Sequence, residues 1–146
     1  ARRFPSVTDA TLMGQHEFAD RLTGRSGTKD YGVLTIFTAM AAEVRPLLEL
    51  PPGAFRPVPK VRSALVRLTF RPPPVEVISP ETFERTVRSV FTQRRKTISN
   101  AARGVAEAHG LTAADALGAA QIDPWRRPET LSLEEFARLA NVLARN

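Results

Sequence analysis

Val61-Arg62-Ser63-Ala64-Leu65-Val66-Arg67-Leu68-Thr69-Phe70-Arg71-Pro72-Pro73-Pro74 divides the chain in two. From Val61 to Phe70 the residues alternate. Ala64, Val66, Leu68 and Phe70 share one face; Ser63, Leu65, Arg67 and Thr69 share the other, the period of a half-buried strand. The triproline that follows can join neither a helix nor a central strand and acts as a stiff link. A domain boundary is therefore expected there, with residues 1–74 on one side and 75–146 on the other.

Upstream of the link the pattern is mixed. Val7 to Gly14 reads as a strand. Glu17 to Thr23 reads as a short helix, with Phe18 and Leu22 one turn apart and Gly24 as its stop. Val33 to Ala42 is ambiguous, because its β-branched start argues strand and its Ala/Met end argues helix. Glu43 to Leu50 alternates, with Val44, Pro46, Leu48 and Leu50 on one side and Glu43, Arg45 and Glu49 on the other. Pro46 demotes this strand to an edge or a bulge. Nine of the 12 prolines lie between Pro46 and Pro80, so no long helix crosses that stretch.

Downstream everything reads as helix. Ser79-Pro80 is a cap followed by proline at the first helical position. Phe83, Val87, Val90 and Phe91 form an apolar stripe. Thr112 with Asp115, and Ser132 with Glu135, are capping pairs, and Leu131 is placed to staple against Phe136. The expectation is a small bundle of about four helices.

The chain has 146 residues and 21 Lys+Arg against 15 Asp+Glu, a net charge of +6. There is no cysteine. That excludes disulfides, thiolate zinc sites and a cysteine nucleophile. His16 and His109 stand far apart, so no metal is expected. No apolar run approaches the roughly 18 residues of a membrane span, and no signal peptide opens the chain, so a cytoplasmic setting is expected. The sequence begins at Ala1 and its first Met is Met13, so it is expected to be a piece of a longer protein. Two windows, Leu50–Val75 and Arg85–Ala106, contain no acid. Locally unbalanced positive charge is the footprint of a phosphate-backbone binder, although a solvated Arg-rich surface would look the same.

Two features could carry chemistry. If 83–105 were one helix, Arg85, Arg88, Arg95, Lys96 and Arg103 would fall within about 100° of each other. Arg94 would fall among the apolar residues. Either the helix breaks near Gln93, or Arg94 is buried against a partner. The charged face either is ordinary or grips phosphates. The second feature is Pro51-Pro52-Gly53-Ala54-Phe55-Arg56-Pro57-Val58-Pro59-Lys60-Val61-Arg62-Ser63. Its prolines would hold Phe55 in a fixed place, either plugged into the core or presented for base stacking beside Arg56 and Lys60. No G-x-G-x-x-G, Walker loop or G-x-S-x-G is present.

Five stretches resemble motifs of one family. Leu12-Met13-Gly14-Gln15-His16-Glu17-Phe18-Ala19-Asp20-Arg21-Leu22 is similar to M-x-Q-x-E-V-A-x-R-L. Tyr31-Gly32-Val33-Leu34-Thr35 is similar to Y-G-x-L-S/T. Phe55 to Leu68 is similar to F-x-P-x-P-K-V-x-S-x-V-V-R-L. Phe91-Thr92-Gln93-Arg94-Arg95-Lys96-Thr97-Ile98 is similar to F-x-Q-R-R-K-T-I/L. Ile122-Asp123-Pro124 through Ser132 is similar to I-D-P-x-x-R-x-E-x-L-S. In order, from about residue 10 to the C-terminus, they resemble the C-terminal part of the small-subunit rRNA adenine N6,N6-dimethyltransferases.

The resemblance implies an α/β fold: the last strands and helices of a Rossmann-like methyltransferase sheet, then a small all-α domain. It makes Val33–Ala42 a helix. It implies that the parent protein is an enzyme using S-adenosylmethionine to methylate adenine amino groups of small-subunit rRNA, with rRNA or a pre-ribosomal subunit as partner and no membrane. The family's Gly-rich donor turn and N-L-P-Y-type motif are not in this sequence and would lie upstream of Ala1. No catalytic or cofactor-binding residue is therefore expected in this segment, nor catalysis by it alone. By resemblance Phe55 would pack on the flipped adenine. Arg56, Lys60 and Arg62 would sit near its phosphates, and Arg94, Arg95 and Lys96 would face rRNA or lock the helical domain onto the sheet. The rivals are a non-catalytic RNA-binding or ribosome-assembly module, a large-subunit adenine methyltransferase of the resistance type, and a helix-turn-helix DNA binder. Gln93–Lys96 and Ile122–Pro124 favour the small-subunit relatives.

Overall fold

The strand read from Val61–Phe70 organises the first half of the molecule. The computed structural model describes residues 6–146, so the first five residues of the expected 1–74 unit lie outside the described residues. Three strands, β1 (Asp9–Gln15), β2 (Ala42–Leu50) and β3 (Ser63–Phe70), form one sheet in the order β1-β3-β2. Both outer strands run antiparallel to β3 and therefore parallel to each other. β3 begins at Ser63 rather than Val61, and the Arg62 carbonyl instead accepts from His16 N–H at 2.9 Å. Ala64 and Val66 are buried as the alternation requires, against Ala19 and Leu22 of helix α1 (His16–Thr23).

Pro46 acts as an edge and a bulge at once. β2 lies at the sheet edge, and its register with β3 shifts between Pro46 and Leu48. Pro46 opposes Val66, but Leu48 opposes Leu65 and Glu49 opposes Ala64. One extra residue turns everything after it to the opposite face. The simple alternation is thus corrected: Leu48 lies on the outer face, 55% exposed, and Glu49 joins the face covered by α1.

Gly24 ends α1 for a reason other than a left-handed turn, since its φ is −52°. A Cβ there would lie 2.7 Å from the Asp30 carbonyl carbon and 2.8 Å from Tyr31 N. The chain folds back on itself too closely for a side chain. The next helix, α2 (Val33–Ala41), forms despite its β-branched start. Thr35 Oγ1 accepts from Gly32 N–H at 3.2 Å and donates to the Arg21 carbonyl at 2.7 Å. Ile36 is buried. Tertiary contacts outweigh a propensity difference of a few tenths of a kcal/mol per residue.

After the triproline only helices follow: α3 (Pro80–Thr92), α4 (Ile98–Ala101), α5 (Arg103–Glu107), α6 (Ala113–Ala119) and α7 (Leu133–Ala144). This corrects the expected bundle of about four. Two long helices, α3 and α7, pack together, and three short ones fill the space beside them. Ser79 Oγ accepts from Thr82 N–H at 3.1 Å, capping α3. Ser132 and Glu135 form a reciprocal capping box at α7. Ala101, Ala102, Ala106, Ala116 and Ala120 are all buried, and their small side chains let the short helices approach closely.

The apolar core does not stop at the triproline. Tyr31 and Ile36 from the first half share one buried cluster with Phe83, Val87, Ile98, Leu117, Phe136 and Leu139. Phe91 stacks on Phe136 with centroids 5.6 Å apart and meets Tyr31 edge-on at 6.3 Å. Burial of each such ring contributes about 1.5–3 kcal/mol.

Tyr31 is 6% exposed, and burial, reinforced by the charges of Glu134 and Glu135, pushes its phenol up to about 12. It is the one tyrosine of the chain, so absorbance at alkaline pH reads it directly. The expected midpoint is near 12, with stability falling as pH rises from the free-tyrosine value of 10.0 toward it, because the unfolded chain ionises first. A native-state midpoint at 10 would place Tyr31 outside the core.

Candidate functional site

β1 and β2 run parallel, so their carboxyl ends lie at one end of the sheet. In open α/β sheets ligands bind there. The loop from Pro51 to Arg62 connects β2 to β3 at that end. A 3-10 turn, Pro52–Ala54, leads into Phe55, whose N–H donates to the Pro52 carbonyl at 3.2 Å. The Arg56–Pro57 peptide is cis. Phe55 is half-buried. Arg56 and Lys60 are exposed, and neither has an ion-pair partner among the described residues. Arg62 is engaged: its guanidinium lies 2.8 Å from Glu49 Oε2.

Glu49 also meets His16. Nε2 of His16 is 2.9 Å from Glu49 Oε1, and Nδ1 is 3.1 Å from Asp20 Oδ2. His16 thus joins the first turn of α1 to the end of β2. These residues border a cleft of about 250 Å³ with Pro46, Leu47 and Leu48. Neither histidine is paired by its spacing in the sequence, and strict alternation from Glu43 to Leu50 places Glu49 on the face opposite the one it takes. The signal was Pro46, whose bulge turns Glu49 toward α1. The hydrogen bond that the His16 ring donates to Glu49, then the charge of Asp20, raise the His16 pKa against some loss of solvation. The His16 hydrogen bond and the Arg62 charge lower that of Glu49.

The second patch lies at the end of α3. The helix breaks at Gln93, and Arg94 is also half-buried against a partner, so both alternatives posed by the sequence hold. Arg94 Nε donates to Glu129 Oε2 at 2.8 Å, and its other nitrogen donates to the Thr28 carbonyl at 3.0 Å. It joins the loop after α1 to the 3-10 turn Pro128–Thr130. Arg95 and Lys96 are exposed, and no ion pair engages either among the described residues. The structure therefore does not gather the cations in one place. Arg56, Lys60 and Arg62 share the β2–β3 loop with Phe55; Arg94, Arg95 and Lys96 stand on the helical half.

A family model described as ribosomal RNA adenine dimethylase matches residues 2–145. The chain belongs to that family. Relatives called ribosomal RNA small subunit methyltransferase A are 45% identical in Rhodospirillum rubrum, over 90% of this chain, and 43% identical in Pseudomonas aeruginosa, over 96%. The chain spans about half the length of the curated relatives it matches, 44% and 50% of these two. Among solved structures, a dimethyladenosine transferase from Plasmodium falciparum superposes with a TM-score of 0.78 over 94% of this chain at 22% identity, a likeness of fold. The 23S rRNA methyltransferase ErmE superposes with a TM-score of 0.60 at 30% identity over 97% of the chain. The expected fold class stands: an α/β part of a methyltransferase sheet followed by helices.

The residues described do not fit S-adenosylmethionine. A donor cradle needs a glycine turn between a strand and a helix N-terminus. The direct strand-to-helix junction here is Gln15–His16, without a glycine, and the glycines with positive φ, Gly27 and Gly110, lie in loops that follow helices. No metal-binding group occurs among the described residues, and none of their helices is long and apolar enough to cross a membrane.

The His16 network is testable by pH. His16 contributes most below its ordinary value of 6.5, and its contribution is lost as pH rises through the raised value. The Glu49 contribution is present above 4.5 and lost as pH falls through the lowered value. An NMR titration of the His16 ring should give a midpoint above 6.5, and Glu49→Gln should move it down. An unmoved midpoint in that variant would remove Glu49 from the network.

Proposed function

We propose that this chain is the substrate-side part of an enzyme that methylates adenine amino groups of small-subunit rRNA, with S-adenosylmethionine as the methyl donor, in the cytoplasm. The observation that carries this reading is the position of the Phe55 loop. A half-buried aromatic stands beside two cations without an ion-pair partner among the described residues, Arg56 and Lys60, at the carboxyl end of two parallel strands. An adenine whose exocyclic nitrogen is to be alkylated must leave its stack. Phe55 supplies a face for the extruded ring, and Arg56 and Lys60 supply charge for the flanking phosphates. Arg62 is held by Glu49 and orients the loop rather than the RNA. The bound donor supplies the electrophilic methyl group; this segment supplies none of the donor site and on its own is inactive.

Arg95 and Lys96 form a second phosphate contact, and Arg94 docks the helical half onto the sheet. The identity to small-subunit enzymes, 45% and 43% against 30% for the 23S enzyme, supports the small subunit as the substrate's source.

Binding of a structured rRNA fragment against salt separates these roles. Log affinity should fall linearly with log salt, and Arg95→Ala with Lys96→Ala should flatten the slope by about 2 with the melting temperature unchanged. Arg94→Ala should do the reverse: little change in slope, with a loss of stability of about 1–3 kcal/mol. Equal slopes in all variants would remove the cluster from the RNA interface.

A further inference from the structure

Trp125 is the one tryptophan of the chain and, among the described residues, the most exposed large apolar side chain, at 81%. An indole left in water forfeits about as much burial energy as any side chain can supply. Its loop is nevertheless firmly held. Trp125 N–H donates to Asp123 Oδ1 at 2.9 Å. The carbonyls on either side of it, of Pro124 and Arg126, accept from Ser99 N–H at 3.2 Å and Ile98 N–H at 2.6 Å. The Arg126 guanidinium grips both carboxylate oxygens of Glu135 and the Thr130 carbonyl. Burial works against the charge of Glu135, yet the Arg126 hydrogen bond and the Ser132 N–H hold its carboxyl below the usual range. The ring thus stands out from a rigid loop anchored at both ends.

Charge surrounds this ring unevenly. The hydrogen bonds to Ile98 and Ser99 set the loop directly beside the Arg95-Lys96 segment. Arg127, two residues on and the next exposed side chain, has no ion-pair partner among the described residues. The Arg103 guanidinium donates to Asn100 Oδ1 at 3.0 Å and has no ion-pair partner among the described residues. The nearest acid in sequence, Asp123, already accepts the Trp125 N–H. A rigid exposed aromatic amid unpaired cations complements a polyanion with exposed bases. It does not suit a protein surface of mixed charge.

We propose that Trp125 is a stacking platform for an unpaired base of single-stranded RNA, with Arg127, Arg95 and Lys96 holding the adjoining phosphates. This rests on the RNA-binding reading above and extends it to a site on the helical half, separate from the Phe55 loop. Stacking of one base on an aromatic changes affinity by roughly tenfold or more.

The test uses the 146-residue chain and a labelled, unstructured single-stranded RNA, followed both by anisotropy of the label and by emission of the single indole. Binding should quench Trp125 saturably with the same midpoint as the anisotropy. Trp125→Ala should weaken binding about tenfold, Trp125→Phe should stay within about threefold, and a strand with abasic sites should lose the difference between the two. Binding by anisotropy with unmoved emission and full affinity in Trp125→Ala would overturn the platform while leaving RNA binding in place. Quenching by an acidic polypeptide but not by RNA would assign the surface to a protein and overturn the proposal. No RNA binding even at low salt would overturn both this site and the reading on which it rests.

Discussion

One guanidinium holds the two halves of this molecule in register. Arg94 bridges the Glu129 carboxylate and the Thr28 carbonyl, and around it Gly27 N–H donates to the Glu129 carbonyl at 2.7 Å and Ser26 Oγ to the Thr130 carbonyl at 2.9 Å. A planar fork satisfies a carboxylate and a carbonyl together, which an ammonium point charge does less well. Beneath this polar seam Tyr31 and Ile36 enter the apolar cluster of the helices. The loop from Gly24 to Tyr31 is thus pinned from above by hydrogen bonds and from below by burial. The end of α3 is fixed with it, and that sets where Arg95, Lys96 and the neighbouring Trp125 loop face solvent.

A second constraint acts at the other end of the sheet. The bulge after Pro46 turns Glu49 toward α1, where it meets His16 and Arg62. That network ties both ends of the Phe55 loop, since Arg62 closes it and Glu49 stands two residues before its first, Pro51. The loop's aromatic is therefore presented from a braced frame, which is what the base-stacking role proposed for Phe55 asks of it.

Much of this was legible in the sequence because it rests on local rules. The alternation of β3, the Ser79 and Ser132 caps and the apolar stripe of α3 each follow from period or from one hydrogen bond, and each is present. Arg94 was legible as a conflict: a cation at an apolar position must end the helix or find a partner, and it does both. What was not legible depends on distant pairing. The helical state of Val33–Ala41 follows from Thr35 reaching back to Gly32 and Arg21. The side of the sheet on which Glu49 stands follows from a bulge whose existence Pro46 announced but whose direction only the partner strand sets. That Arg94 is ion-paired while Arg95 and Lys96 have no ion-pair partner among the described residues is invisible in a run of three cations; it appears once Glu129 is seen to stand opposite the first.

The most direct test of this account is a double-mutant cycle on Arg94 and Glu129, measured by denaturant unfolding with Arg94→Ala, Glu129→Ala and the pair. The two side chains are 35% and 24% exposed, so the interaction is partly shielded from solvent. The predicted coupling is about 1–2 kcal/mol, with the double variant little worse than either single one. A coupling within about 0.3 kcal/mol of zero would mean that apolar burial and the Gly27 and Ser26 hydrogen bonds join the halves without Arg94, and that Arg94 is no more than another surface cation.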